Sequence, residues 1–163
     1  MTTKIFKYAV IVLLLAGSFS SCKEKEKCEP FVLIGQRSLS GGEGIPQQDI
    51  VIKTQEEWED FKTVMNTEYY QGQNTIKETD SFSETEIDFD QYQIIAVIDE
   101  VRPDMGWSME IKCMKEHIDK IAVIVQVSTL EKGFSAPLTE HQPYHIVKIH
   151  VTKKSIEFKH IKK

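Results

Sequence analysis

The sequence predicts an α+β domain, an antiparallel β-meander of about five strands preceded by N-terminal strands and one packed amphipathic helix. Three observations carry this expectation. One capping box opens a segment with apolar residues at helical spacing, a series of short apolar or alternating runs follows it, and polar turns separate those runs. At 163 residues, with 40% hydrophobic and 28% charged side chains, the chain is long enough for one domain with a real core and a tight fit for two.

The N-terminus belongs to a different category. Lys4 and Lys7 precede the apolar run Tyr8–Ala16, which ends in "GSFSSC", the order of a secretory signal. Crossing a bilayer takes about 20 apolar residues, and this run is shorter. The small residues ahead of Cys22 resemble the processing site of bacterial lipoproteins, in which that cysteine is acylated and becomes the mature N-terminus. The reading is a signal peptide over 1–21, lipidation at Cys22, and an extracytoplasmic, membrane-anchored protein. Lys23 is not the aspartate that retains many lipoproteins in the inner membrane, so the outer membrane is favoured if the cell is Gram-negative.

After Cys22 comes "KEKEKCEP", a mixed-charge segment unable to bury a core. Residues 22–30 therefore read as a lipidated cysteine on a solvated tether, whose eight residues after Cys22 reach at most roughly 28 Å. A single α+β domain follows over 31–163. Lipidation of Cys22 leaves Cys28 and Cys113 in an oxidising compartment, where a disulfide between tether and domain is one reading. The other, favoured by strand alternation, is a small buried thiol, because Cys113 lies two residues beyond Ile111 on an apolar face.

Charge is unevenly spread. Gln55 to Asp104 holds 14 acidic residues against 3 basic, while Pro143 to Lys163 holds 6 lysines against Glu157, within a net charge of −5. That pattern describes an electrically polar molecule and speaks against a nucleic-acid binder.

The elements follow in order. Phe31–Ile34 reads as a short strand, the glycines at 41, 42 and 44 as a turn, and Ile50–Lys53 as a second strand. No Gly-Lys-Ser/Thr follows those glycines, so a phosphate loop is rejected. Thr54-Gln55-Glu56-Glu57 is a capping box, and Trp58, Phe61, Val64 and Met65 form the apolar stripe of the helix it starts. A polar loop over 67–83 includes the turn signal "YYQGQN". Glu84, Glu86, Asp88 and Asp90 alternate as though lining one face of an extended strand, with Ile87 and Phe89 facing inward. A calcium loop would also need a glycine-bearing turn and a distal glutamate, and has neither.

Ile94–Ile98 is the continuous apolar run of a central strand covered on both faces. Trp107–Cys113 and Ile121–Val127 alternate around the polar turn "KEHIDK" and read as an antiparallel hairpin. Tyr144–Val151 and Ile156–Ile161 complete the set.

"HQPYHIVKIH", residues 141–150, holds three of the five histidines. His141 and His145 have the spacing of two ligands on a helix, but Pro143 between them forbids the helix. As a strand from Pro143, the segment turns His145, Val147, Ile149 and Val151 to one face and Tyr144, Ile146, Lys148 and His150 to the other, so His145 and His150 cannot share an ion. A buried, hydrogen-bonded His145 is the expectation. No Gly-x-Ser-x-Gly elbow and no cysteine in a reactive setting is present. No catalytic residue, metal site or cofactor is assigned, and the protein reads as a non-enzyme.

The stretch from "IDFDQYQIIAVIDE" through "GWSMEIKCMKE" to "QPYHIVKI", roughly 87–150, resembles the C-terminal domain of the PrcB family, lipoprotein subunits that accompany a bacterial surface protease. Upstream, "GQRSLSGGEGIPQQDIVIKTQEEWEDF" is similar to the glycine turn, strand and Glu-Glu-Trp helix often placed before that domain. The signature is Gly106-Trp107-Ser108 paired with Pro143-Tyr144-His145-Ile146-Val147-Lys148, and Met105 stands where the family often has a second glycine. The resemblance implies a non-catalytic accessory or stabilising role in an envelope protease complex. It carries over no catalytic residues.

Antiparallel strands place alternate connections at one end of a sheet, so "EVRPDMGW" and "STLEKGFSAPLTEHQP" should meet there. Arg102, Met105, Trp107 and Phe134 are the residues proposed for a protein partner, being of types enriched at interfaces. Trp107 has the competing role of a strand residue folded into the core. The membrane, through the lipid anchor, and a protein, a surface protease being one candidate, are the expected partners, with no nucleic acid. The rival functions are a small-ligand-binding or hydrolytic envelope domain using the acidic 84–90 face, and a protease inhibitor.

Overall fold

The computed structural model describes residues 27–42, 44–66, 77–131 and 133–163. The signal segment, Cys22 and the turn expected at "YYQGQN" lie outside the described residues. Among the described residues nine elements follow in order: β1 (Val32–Leu39), β2 (Gln48–Ile52), α1 (Gln55–Met65), a 3-10 turn (Glu78–Ser81), β3 (Tyr92–Ile98), β4 (Trp107–Glu116), β5 (Lys120–Thr129), β6 (Gln142–His150) and β7 (Ser155–Lys162). The α+β class holds, with an antiparallel sheet and one packed helix.

The helix begins as its capping box dictates. Thr54 Oγ1 accepts from the Glu57 N–H at 3.2 Å, while Glu57 Oε2 accepts from the N–H groups of Lys53 at 2.7 Å and Thr54 at 3.2 Å. Caps of this kind are worth about 1 kcal/mol. Trp58, Phe61 and Met65 are buried and Val64 is largely exposed, so the stripe is narrower than its apolar spelling. Trp58 stacks on Phe61 and Phe82 and donates its indole N–H to the Thr85 carbonyl at 2.8 Å.

The strands form two sheets, where the sequence predicts one sequential meander. A four-stranded sheet runs β1-β6-β3-β2, antiparallel throughout, and a three-stranded sheet runs β4-β5-β7. The predicted β4–β5 hairpin is present. The predicted neighbour pair β6–β7 is not, because both edges of β6 are already paired, with β1 and with β3. A short turn instead carries the chain to the other sheet, where β7 pairs parallel to β5.

Three layers result. Ile94, Ala96, Ile98, Tyr144 and Ile146 pack toward α1, whereas Ile95, Val97, Val147 and Ile149 pack against Met109, Ile111, Met114, Val123 and Val125 of the second sheet. β3 and β6 are therefore apolar on both faces because each separates two cores.

The disulfide reading of Cys28 and Cys113 is the one the structure shows, with Cα atoms 5.2 Å apart. Cys113 is buried, as the other reading has it, but as half of a disulfide and not as a thiol, and a bulge sets the face it takes. Register slips between Ile111 and Cys113, so Ile111 faces Val125 and Met114 faces Val123 inside the core, while Cys113 pairs with Ile124 on the opposite face of the sheet. The Glu29 N–H also donates to the Met114 carbonyl at 2.8 Å. The segment expected to be free tether up to Pro30 is thus fixed to the edge strand β4 from Cys28 onward.

The acidic stretch 84–90 forms no strand. Asp88 shapes a turn, its side chain accepting from Asp90 N–H at 3.1 Å and Gln91 Nε2 at 2.5 Å, and Glu84 pairs with Lys148. Aspartate binding its own downstream backbone outcompetes extension here. Ile87 does face inward, as does Phe89.

Candidate functional site

The β3–β4 loop (99–106) and the β5–β6 loop (130–141) meet at one end of the molecule. Arg102 and His141 exchange backbone hydrogen bonds of 2.7 and 3.1 Å, Met105 N–H donates to the Pro137 carbonyl at 3.1 Å, and Leu130 N–H donates to that of Gly106 at 3.0 Å. The β1–β2 turn joins them. Gly41, at φ 87°, lies so close to Val101 that a Cβ there would come within 2.9 Å of its methyl.

Beneath the loops lies a charged clamp. Asp99 is fully buried at the end of β3, and its carboxylate accepts from Arg102 Nε and Nη2, both at 2.8 Å, and from the Glu100 N–H at 2.9 Å. Arg102 Nη1 lies 2.6 Å from Glu100, and the guanidinium sits 4.2 Å over the Trp107 ring. The hydrogen bonds that Arg102 donates to Asp99, opposed by burial, hold the Arg102 pKa above its ordinary value. Gln142 adds a further tie, its amide donating to the carbonyls of Asp99 at 2.7 Å and Ile45 at 2.8 Å. A bidentate pair stacked on an aromatic ring fixes the loop geometry rigidly.

The four residues singled out from sequence therefore divide. Arg102 is turned inward, and Trp107 is half-buried and packs on the core between the sheets. Met105 and Phe134 are exposed, at 54% and 72%. Sequence reasoning missed Leu138, at 91% exposure, together with Leu130 and Val101. Their signal was available: isolated apolar residues between prolines and charges, in a stretch with no strand or helix period, have no internal face to cover them.

The histidines serve packing. His145 is buried and its Nδ1 accepts from the Ile111 N–H at 3.3 Å, next to the bulge. His141 Nε2 lies 3.1 Å from the Trp107 carbonyl, and His150 stacks on Tyr92 at 4.9 Å from the opposite face of β6. Among the described residues, no group of three His, Cys, Asp or Glu side chains gathers as metal ligands. The loop end offers a rigid, partly apolar surface suited to contact. No family model, curated protein or solved structure matches the chain.

Proposed function

We propose that the protein is an extracytoplasmic lipoprotein, anchored through acylated Cys22, that acts as a non-catalytic, protein-binding accessory or stabilising subunit. The observation that carries this reading is the gathering of exposed Met105, Leu130, Phe134 and Leu138 at one end, over the Asp99–Arg102–Trp107 clamp. Exposed apolar residues on a preordered frame lose little freedom on binding, which favours contact with a partner. The Cys28–Cys113 disulfide supports an oxidising compartment. The PrcB resemblance makes a surface protease complex the assembly to test first.

The test is affinity capture from detergent-solubilised envelopes with the parent chain and a Phe134→Ala/Leu138→Ala variant. We expect a discrete protein to co-purify with the parent and to be lost from the variant, whose thermal midpoint stays unchanged because both side chains are exposed. Equal recovery of that protein by both chains would overturn the assignment of the surface.

A further inference from the structure

The disulfide fixes Cys28 to β4, and so sets how far the domain stands from the anchor proposed above. From Cys22 to Cys28 there are six residue steps, which cannot span more than about 20 Å. Cys28 is fixed to Cys113, and six further residues of β4 separate Cys113 from Trp107, about 20 Å of strand. Met105, Phe134 and Leu138 lie in loops beyond that point. Pointing the loop end at the bilayer would draw the tether fully taut along the whole strand, whereas the opposite end, at the β4–β5 turn, lies only four to six residues past Cys113.

Charge acts in the same sense. The two loops contain Asp99, Glu100, Asp104, Glu131 and Glu140 against Arg102 and Lys132. Asp99 and Glu100 share the Arg102 guanidinium, and exposed Glu131 and Glu140 give the loop end an acidic rim beside the apolar residues. Anionic headgroups repel such a rim.

We infer that the loop end is displayed away from the membrane and docks a protein face with an apolar centre and a basic rim. This rests on the acylation of Cys22 proposed above. Two measurements test it. In the first, the lipidated full-length chain is placed in phosphatidylcholine–phosphatidylglycerol vesicles with brominated acyl chains, and Phe134→Trp is compared with the parent, which supplies the Trp58 and Trp107 background. The added emission should survive the bromolipid and be quenched by aqueous acrylamide, and loss of that emission to the bromolipid overturns the inference. A chain recovered unacylated, by mass, and soluble without detergent instead removes the anchoring on which the inference stands.

In the second, a photo-reactive residue at position 134 is activated in intact cells, with and without Glu131→Lys/Glu140→Lys. A protein adduct should form at 134 and fall about tenfold on charge reversal, the effect of a 1.4 kcal/mol weaker contact. A lipid adduct, no adduct, or one indifferent to charge reversal refutes the docking chemistry.

Discussion

Replacing His145 by asparagine removes one titrating group from the space between the sheets while keeping an acceptor near the position of Nδ1. The imidazole is 4% exposed and its Nδ1 faces the donating N–H of Ile111. Protonation would place a second donor against that N–H inside a low-dielectric space, and burial, opposed by Glu110, lowers the pKa from 6.5 to about 4. Between those values the unfolded chain carries a proton on this ring that the folded chain excludes. Stability contributed by the neutral ring is therefore full above pH 6.5, falls as pH drops through the window, and is lost below about 4. At 1.36 kcal/mol per pH unit the whole window is worth roughly 3 kcal/mol. The assay is urea unfolding of parent and His145→Asn from pH 4 to pH 7.5. Other titrating groups act equally on both, so the difference between the two curves isolates the histidine. The difference should shrink by roughly 3 kcal/mol as pH falls through the window. Parallel curves would mean that His145 keeps its ordinary pKa in the folded protein and that the burial argument is wrong.

Arg102→Ala leaves the fully buried Asp99 carboxylate without its bidentate partner, and about 3 kcal/mol of stability should go with it, seen as a lower midpoint in thermal unfolding. Phe134→Ala, by contrast, should leave the midpoint unchanged, so a loss of partner binding can be read as contact only in the second variant. Cys28→Ser/Cys113→Ser opens a crosslink across 85 residues of sequence, and chain-entropy reasoning gives a cost of about 4.6 kcal/mol; unfolding of the parent with and without reductant should reproduce it. Trp58→Ala removes a fully buried ring and orphans the Thr85 carbonyl, which should cost about 3–5 kcal/mol in urea unfolding.

Much of this fold is written locally. The capping box placed the start of α1, Pro143 excluded a helical His141–His145 pair, and strict alternation put His145 and His150 on opposite faces of β6. Those features depend on covalent geometry and on neighbours within a few residues, where sequence reasoning is strongest. The errors share another cause. Asp88 looked like one of four alternating carboxylates, but its side chain binds the backbone just ahead and turns the chain. Cys113 looked like a core residue until one extra residue at the bulge moved it to the other face, toward Cys28.

The partition into two sheets is a long-range fact with a local trace. β3 and β6 are apolar on both faces, which demands a layer on each side, and one helix can cover only one of them. A single meander therefore could not satisfy its own central strands. The strands left over, β4, β5 and β7, had to supply the second cover, and β6, paired on both edges, could not keep β7 as a neighbour. The same arrangement explains why the loop end became a surface. Each crossing between sheets at that end spans two layers, so its loops are long, and the Asp99–Arg102 pair anchors them where strand hydrogen bonds have run out. Once the loops are anchored from below, Phe134 and Leu138 are left 72% and 91% exposed among the described residues, which is why the proposed contact is assigned to them.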